Sequence, residues 1–503
     1  MSRQGAPMQA AAAITRIPVS AIGRGPLRSA LSATTALPTA SPTASPSAPP
    51  TAPPAAARTH GGSALHRFDT AAGAHLLVVD GSRVYDLPPA EAAAADRALA
   101  AGPAAEQALL ARLNLAAARP AVVDDDIGTP PVTALALNIA EHCNLGCGYC
   151  YADGGSFGQA PRREAMGWAV AQAAVDRLVG GLAPGATARL AFMGGEPLLA
   201  RALLRRATEY AGEACARRGL RLQLALTTNA TRLTDDDAAF FAHHGFAVTV
   251  SLDGSAALND RLRPRRGGGG SHAQVLARLP ALLARQGEAA LPGRPRLRAS
   301  ARITVTPLHR ALRGDVEHLI GLGFAAVGVA PSLVAADAAL RIADGGFAEL
   351  LAQIVDVADA CERQLLRDGK PDAYPFANLL DALRELHRGT HRPLPCGAGA
   401  GYLGVAADGA LHACHRFIGD DAARFGDLGR GIDDQARGAW LAQRHVHRQQ
   451  PCASCWARYL CGGGCHHEVL HRGRAACDFI RGWLDHCLRS YARLSDARPE
   501  LFG

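Results

Sequence analysis

The arrangement of residues 130–345 predicts an α/β fold, a largely parallel sheet with helices outside it, either doubly wound or a partial barrel. Two observations carry this. Six short runs rich in leucine and β-branched residues, TALALNI, ARLAFM, LQLALTT, AVTVSLD, ASARITV and AVGVAPS, alternate with stretches of helical periodicity at 164–182, 198–218, 234–245, 272–287 and 309–322. Motifs that can carry chemistry follow the ends of several runs, and in α/β folds function gathers on the loops after the strand ends. A third observation points beyond the sheet. Of 13 cysteines, three crowd into 143–150 and eight into 396–487, leaving Cys215 and Cys361 as strays with the character of buried small hydrophobes.

The remaining elements follow in chain order. Residues 1–60 are proline- and alanine-rich with little large apolar surface, and predict a disordered tail. Their Arg-rich, acid-free composition also resembles a transit peptide, but a natural tail or leader codons before a later start is favoured. Residues 65–125 predict a small α+β unit. HRFDT, HLLVVD and RVYDL read as strands, followed by helical stretches at Pro89–Ala101 and about Ala104–Leu115. After the α/β region, 346–390 reads as a helical linker, 391–490 as a cysteine-rich domain and 491–503 as a tail.

Composition narrows the class. The chain has 503 residues, 48% hydrophobic and 19% charged, with a formal charge of +8. Six arginines of the acid-free stretch 1–68 account for most of that charge, so no nucleic-acid partner is expected. No uncharged apolar run approaches the roughly 20 residues that cross a bilayer, so no membrane partner is expected either. Cysteines clustered at close spacing in a large chain suggest metal or iron–sulfur ligation rather than a disulfide framework.

The first cluster is Cys143-x3-Cys147-x2-Cys150, directly after the first strand of the α/β region. Three thiolates on one loop can hold three irons of a [4Fe–4S] cube and leave the fourth open, whereas structural zinc normally takes four ligands. Gly194-Gly195-Glu196-Pro197 follows the second strand, Thr228-Asn229 ends the third, and Ser251-Leu252-Asp253-Gly254 ends the fourth. This ordered set resembles the radical S-adenosylmethionine (SAM) enzymes. The resemblance implies a partial (β/α)6 barrel in which Cys143, Cys147 and Cys150 hold a SAM-binding cluster. It implies that Gly194, Gly195, Glu196 and Pro197 lie against SAM, with Glu196 bonded to its ammonium. Asn229, Ser251 and Arg263 would contact ribose and carboxylate, and Tyr149 would sit by the adenine.

The second region reads Cys396-x12-Gly409-x4-Cys414, Cys452-x2-Cys455-x5-Cys461-x3-Cys465, then Cys477. It resembles the SPASM extension, which implies two auxiliary [4Fe–4S] clusters, one on Cys396, Cys414 and Cys465, the other on Cys452, Cys455, Cys461 and Cys477. Some relatives carry one more cysteine where Tyr402 stands here, so the first of these has an open iron or a distant fourth ligand, with Cys487 the candidate. The narrower resemblance, over about 65–490, is to maturases of the quinohemoprotein amine dehydrogenase type. It implies a cytoplasmic, peptide-modifying oxidoreductase that forms thioether links from Cys to Asp or Glu in a small Cys-containing protein. SAM, three clusters and a flavodoxin or ferredoxin electron donor come with it. Sactipeptide-type, carbon–carbon crosslinking and formylglycine-forming maturases are the alternatives. His415 lies where sulfatase-maturing relatives place a catalytic Asp, and is a candidate base or a packing residue. Residues 65–118 resemble a peptide-recruiting element. A zinc hydrolase through His467-Glu468-x2-His471 is a different class, disfavoured because cysteines crowd the motif and Gly473 ends its helix.

Overall fold

The computed structural model describes residues 62–115, 127–157, 165–288 and 293–502. The expected tail 1–60 lies outside them.

The α/β region forms β4 to β9, at Ala134–Ala140, Thr187–Gly194, Arg221–Thr228, Phe246–Ser251, Arg298–Val305 and Ala326–Pro331. They pair in parallel in the order β4-β5-β6-β7-β8-β9, with registers such as Leu135↔Leu190, Leu226↔Val248 and Val248↔Ala299. A doubly wound sheet reverses its strand order at a switch point. This order never reverses, so the partial barrel is the observed form.

Burial alternates along the middle strands. Leu190, Phe192, Leu224, Leu226, Val248, Val250 and Ile303 are fully buried on one face. Met193, Thr227, Thr249, Ser251, Arg302 and Thr304 point the other way and remain partly accessible. Period two in a parallel sheet means that helices cover one face only. The other face is polar and open.

Helices fall close to the expected stretches, at Trp168–Gly180, Arg201–Arg217, Asp235–His244 and Leu312–Gly321. The Asp235–His244 helix starts on a full capping box, Thr234 with Asp237, and ends on the left-handed Gly245. The expected 272–287 helix is broken into His272–Leu276 and Leu279–Ala284, because Pro280 removes a backbone donor. A short helix at Ala256–Leu262 was not anticipated.

The cysteine-rich region does not stand apart from the barrel. Strands β10 (Tyr402–Val405), β11 (Ala410–His412), β12 (Arg424–Asp427) and β13 (Gly431–Ile432) extend the same sheet to ten strands. Strand β10 lies parallel to β4 with Leu403↔Leu135, and β4, unlike β5 to β9, is buried at every residue. The stretch 346–390 holds two amphipathic helices, Phe347–Asp368 and Ala377–Arg388. The expected tail is ordered, since the Cys477–Ala497 helix runs into it and buries Tyr491, Leu494 and Leu501.

The N-terminal unit is an antiparallel meander of β1 (Leu65–Thr70), β2 (Gly73–Val78) and β3 (Arg83–Leu87), with helices Pro89–Ala101 and Pro103–Arg112 around a small core of its own. It docks on the cysteine-rich region. His66 stacks on Trp456 at 3.7 Å and meets Asp485 at 2.8 Å, and Arg458 donates to the Ser63 carbonyl at 2.8 Å.

Candidate active site and cysteine centres

The loop after β4 carries Cys143, Cys147 and Cys150, each partly exposed. Two glycines set its position. A Cβ on Gly195 would come within 2.1 Å of the His142 carbonyl oxygen, and one on Gly194 within 2.5 Å of that of Ala140. The expected role of Gly194 and Gly195 was close approach to a cofactor; in the structure they admit the cysteine loop itself. Pro197 opens the turn that follows, at the first position of a short 3-10 segment.

Glu196 is buried, and its carboxylate joins two strand ends. Oε1 accepts from Leu198 N at 3.0 Å and Thr228 Oγ1 at 2.6 Å, and Oε2 from Asn229 N at 2.7 Å. Burial pushes its pKa up, while the Thr228 hydroxyl and the backbone donors oppose that rise. Three of about four lone-pair positions are occupied. Asn229 reaches the loop, donating through Nδ2 to Asn144 Oδ1 at 3.0 Å and to Cys143 Sγ at 3.6 Å.

Tyr149 and Arg263 meet each other and a third residue. The Arg263 guanidinium donates to the Tyr149 hydroxyl, which donates to Asp253 Oδ2 at 2.5 Å. Arg263 lies 3.8 Å from Asp253, whose Oδ1 also accepts from Thr304 N at 2.9 Å. All three are buried. Burial raises Tyr149 well above the ordinary phenol range, and burial also lifts Cys147 to about 11 against the pull of Arg263. Asp253 sits inside the SLDG stretch but was not anticipated as a site residue. The signal was an acid and an arginine ten residues apart around a short helix. Ser251 ends β7 on the open face.

The C-terminal cysteines sort into two groups. Cys414 is acted on by Cys396 and Cys465, and Cys396 by Cys465. Cys452 is acted on by Cys461, Cys477 and Cys455. These are the two expected sets. Cys487 joins neither. It is fully buried on the Cys477–Ala497 helix, and Glu362 is the charged group that acts on it, so it is not brought to Cys396, Cys414 and Cys465. The face of that helix packed on Phe347–Asp368 takes the thiol into the core.

The donor set tests which metal group would fit. Zn–S bonds of about 2.3 Å put tetrahedral sulfurs roughly 3.8 Å apart. Among the described residues, the one trio of His, Cys, Asp or Glu ligand atoms within 4.8 Å of one another is Asp359, Glu362 and His486. The cysteine groups are spaced more widely than zinc requires. Sulfurs at the corners of an iron–sulfur cube stand apart in that way, because the irons lie between them. Cys452, Cys455, Cys461 and Cys477 line one cavity, together with Gly463, Gly464 and Ile480.

Between the first loop and the first C-terminal group lies a polar cluster. Arg416 ion-pairs Glu468 at 2.8 Å, donates to Cys465 Sγ at 3.7 Å and covers the Tyr151 ring at 5.0 Å. Tyr402 stands 2.5 Å from His415 Nδ1. Burial and the Arg416 charge push His415 down to about 3, so its ring is neutral where it shares a hydrogen bond with the Tyr402 hydroxyl. A base so far below neutral pH is a poor proton acceptor, which favours packing over catalysis for His415. The HEVLH motif also resolves. His467 and His471 share a face at 4.3 Å between rings, but Glu468 is held by Arg416 rather than free as a general base.

Comparison with known proteins agrees with this geometry. Residues 137–289 match the Radical SAM superfamily model. The chain is 31% identical over 134 residues to an uncharacterized protein of Methanocaldococcus jannaschii, covering 27% of this chain and 43% of that one. It is 31% identical over 148 residues to a serine-type anaerobic sulfatase-maturating enzyme of Klebsiella aerogenes, covering 27% of this chain and 33% of the relative. The chain thus spans less than half the length of either relative. The fold also resembles the solved structure of anSMEcpe with bound AdoMet and a Kp18Cys peptide, with a TM-score of 0.59, 16% identity, and coverage of 73% of this chain and 99% of that one. No helix among the described residues is long and apolar enough to cross a membrane.

Proposed function

We propose that this chain is a radical SAM peptide maturase that forms thioether links from Cys to Asp or Glu in a small partner protein. The observation that carries this reading is the division of ten cysteines into a three-sulfur loop at the strand ends and two further groups of three and four. When bound, a cluster on Cys143, Cys147 and Cys150 would supply the electron that cleaves SAM to a 5′-deoxyadenosyl radical, which abstracts hydrogen from the peptide. The chain's own residues do the positioning. Asn229 braces Cys143, and Glu196 ties the ends of β5 and β6 while keeping one lone pair for an ammonium. Tyr149, Asp253 and Arg263 form a rigid buried wall beside the loop. Cys396, Cys414 and Cys465 would hold one auxiliary cluster with an open position, and Cys452, Cys455, Cys461 and Cys477 another that is closed. A flavodoxin or ferredoxin would deliver electrons. The N-terminal unit, docked beside the four-cysteine group, would recruit the precursor.

The sulfatase-maturating relative favours formylglycine formation as a second reading. The test is anaerobic reconstitution, expected to give about 12 irons per chain and 5′-deoxyadenosine from SAM. Mass mapping of the modified partner then separates a thioether, a loss of two hydrogens between Cys and an acidic residue, from a formylglycine. Protein that holds zinc and leaves SAM intact overturns the reading.

A further inference from the structure

Among the described residues, none answers one charge on the open face of the sheet. Arg302 stands in β8 between Ser300 and Thr304, on the face where Ser300 Oγ meets Thr249 Oγ1 at 3.2 Å. It is in register with Ser251 on one neighbour and Gly328 on the other. Gly328 leaves it room, since a Cβ there would stand 3.3 Å from Arg302 Nη1. Among the described residues, its guanidinium has no hydrogen bond or ion pair. The acids that act on it are Glu468 and Asp381, and each is already taken, Glu468 by Arg416 at 2.8 Å and Asp381 by Arg384 at 3.0 Å. Arg416 adds repulsion.

An arginine stays charged inside a protein, and a desolvated charge without a partner is costly. Burial accordingly pulls Arg302 below its ordinary range. A planar fork on a polar, partly accessible face suits a carboxylate, which it can take with two parallel bonds.

We propose that Arg302 docks a carboxylate of the substrate, the side chain of an aspartate or glutamate in the peptide. The proposal rests on the peptide-maturase reading. The carboxylate of SAM has the same chemistry, but position favours the peptide. The charges acting on Arg302 come from the cysteine-rich region and the Ala377–Arg388 helix, whereas Cys143 and Cys147 are paired electrostatically with Arg263. A group held by Arg302 therefore lies toward Arg416 and the Cys396, Cys414 and Cys465 group. A substrate must pass there for its sulfur and its acidic residue to meet.

The test uses reconstituted holoenzyme and three probes: a fluorescent synthetic peptide with one Cys and one Asp, the same peptide with Asn for Asp, and SAM. The wild type is expected to bind the Asp peptide roughly tenfold or more tighter than the Asn peptide, the scale of a charge-assisted pair. Arg302→Gln should remove that preference and Arg302→Lys restore part of it, with circular dichroism checking that both variants fold. Wild type that fails to distinguish the peptides, including by binding neither, overturns the proposal. So does Arg302→Gln that keeps the preference. A variant that loses SAM affinity but still prefers Asp assigns the carboxylate to SAM and overturns it as well. Wild type that prefers the Asp peptide yet never cleaves SAM supports the carboxylate site and sinks the maturase reading.

Discussion

The first cysteine loop and the four-cysteine group offer the same donor atom in different number and setting. Cys143, Cys147 and Cys150 sit at open strand ends among Asn229, Arg263 and Asp253, with three sulfurs and no fourth. Cys452, Cys455, Cys461 and Cys477 line a cavity with Gly463, Gly464, Val469 and Ile480 and with three arginines, Arg458, Arg474 and Arg481, and the docked N-terminal unit contacts Trp456 and Arg458. Under the proposed function the first arrangement would leave a metal position for a reactant, and the second would close its metal off. Sulfur count, rather than polarity, would then separate a place for chemistry from a place for electrons.

Substitutions can break this contrast. The largest effect is expected from Cys147→Ala, which should abolish 5′-deoxyadenosine formation under dithionite while leaving about eight irons per chain. Cys455→Ala should also lower iron by about four, yet retain SAM cleavage and lose the crosslinked product. Equal loss of SAM cleavage in both variants would erase the distinction between the two centres.

A smaller effect separates the buried wall of the first site from its ligands. Asp253→Asn leaves the Arg263 charge buried without its carboxylate, a loss of about 3 kcal/mol that should appear as a lower melting temperature and weaker SAM binding. An unchanged melting temperature would show that the Tyr149 hydroxyl alone satisfies Arg263.

The smallest effect belongs to the second region. His391 lies over Tyr459 at 3.8 Å, and burial, helped by the Arg458 charge, pushes it down to about 4. A histidine depressed in the folded state stays neutral while the unfolded chain takes up a proton below about 6.5. Its contribution is complete above that pH and is lost as pH falls toward 4, by about 1 kcal/mol per pH unit. His391→Phe should flatten that part of the stability profile between pH 6.5 and 4.5. A profile with the wild-type slope would assign the acid sensitivity to other groups.

Much of this was legible because it is local. The cysteine spacings, the glycine pairs after strands and the six alternating segments are written in neighbouring residues. The pairing of β10 beside β4 was not, because it joins residues more than 260 positions apart. Cys487 shows the same limit. Its spacing made it a plausible ligand, but helix packing turned it into the core. The partner of Glu468, Arg416, was not legible either, because it comes from 52 positions away.

By itself the sequence determined the α/β class, the three-cysteine loop and the strand ends around it, since each rests on short-range periodicity or spacing; the division of seven further cysteines into two sets was implied by resemblance. Tertiary structure alone decided that the cysteine-rich region continues the barrel sheet, that Asp253 completes the Tyr149–Arg263 cluster, and that Arg302 has no hydrogen bond or ion pair from its side chain among the described residues. Those outcomes depend on which distant charges meet, and pairing across the sheet is set by packing rather than by order along the chain.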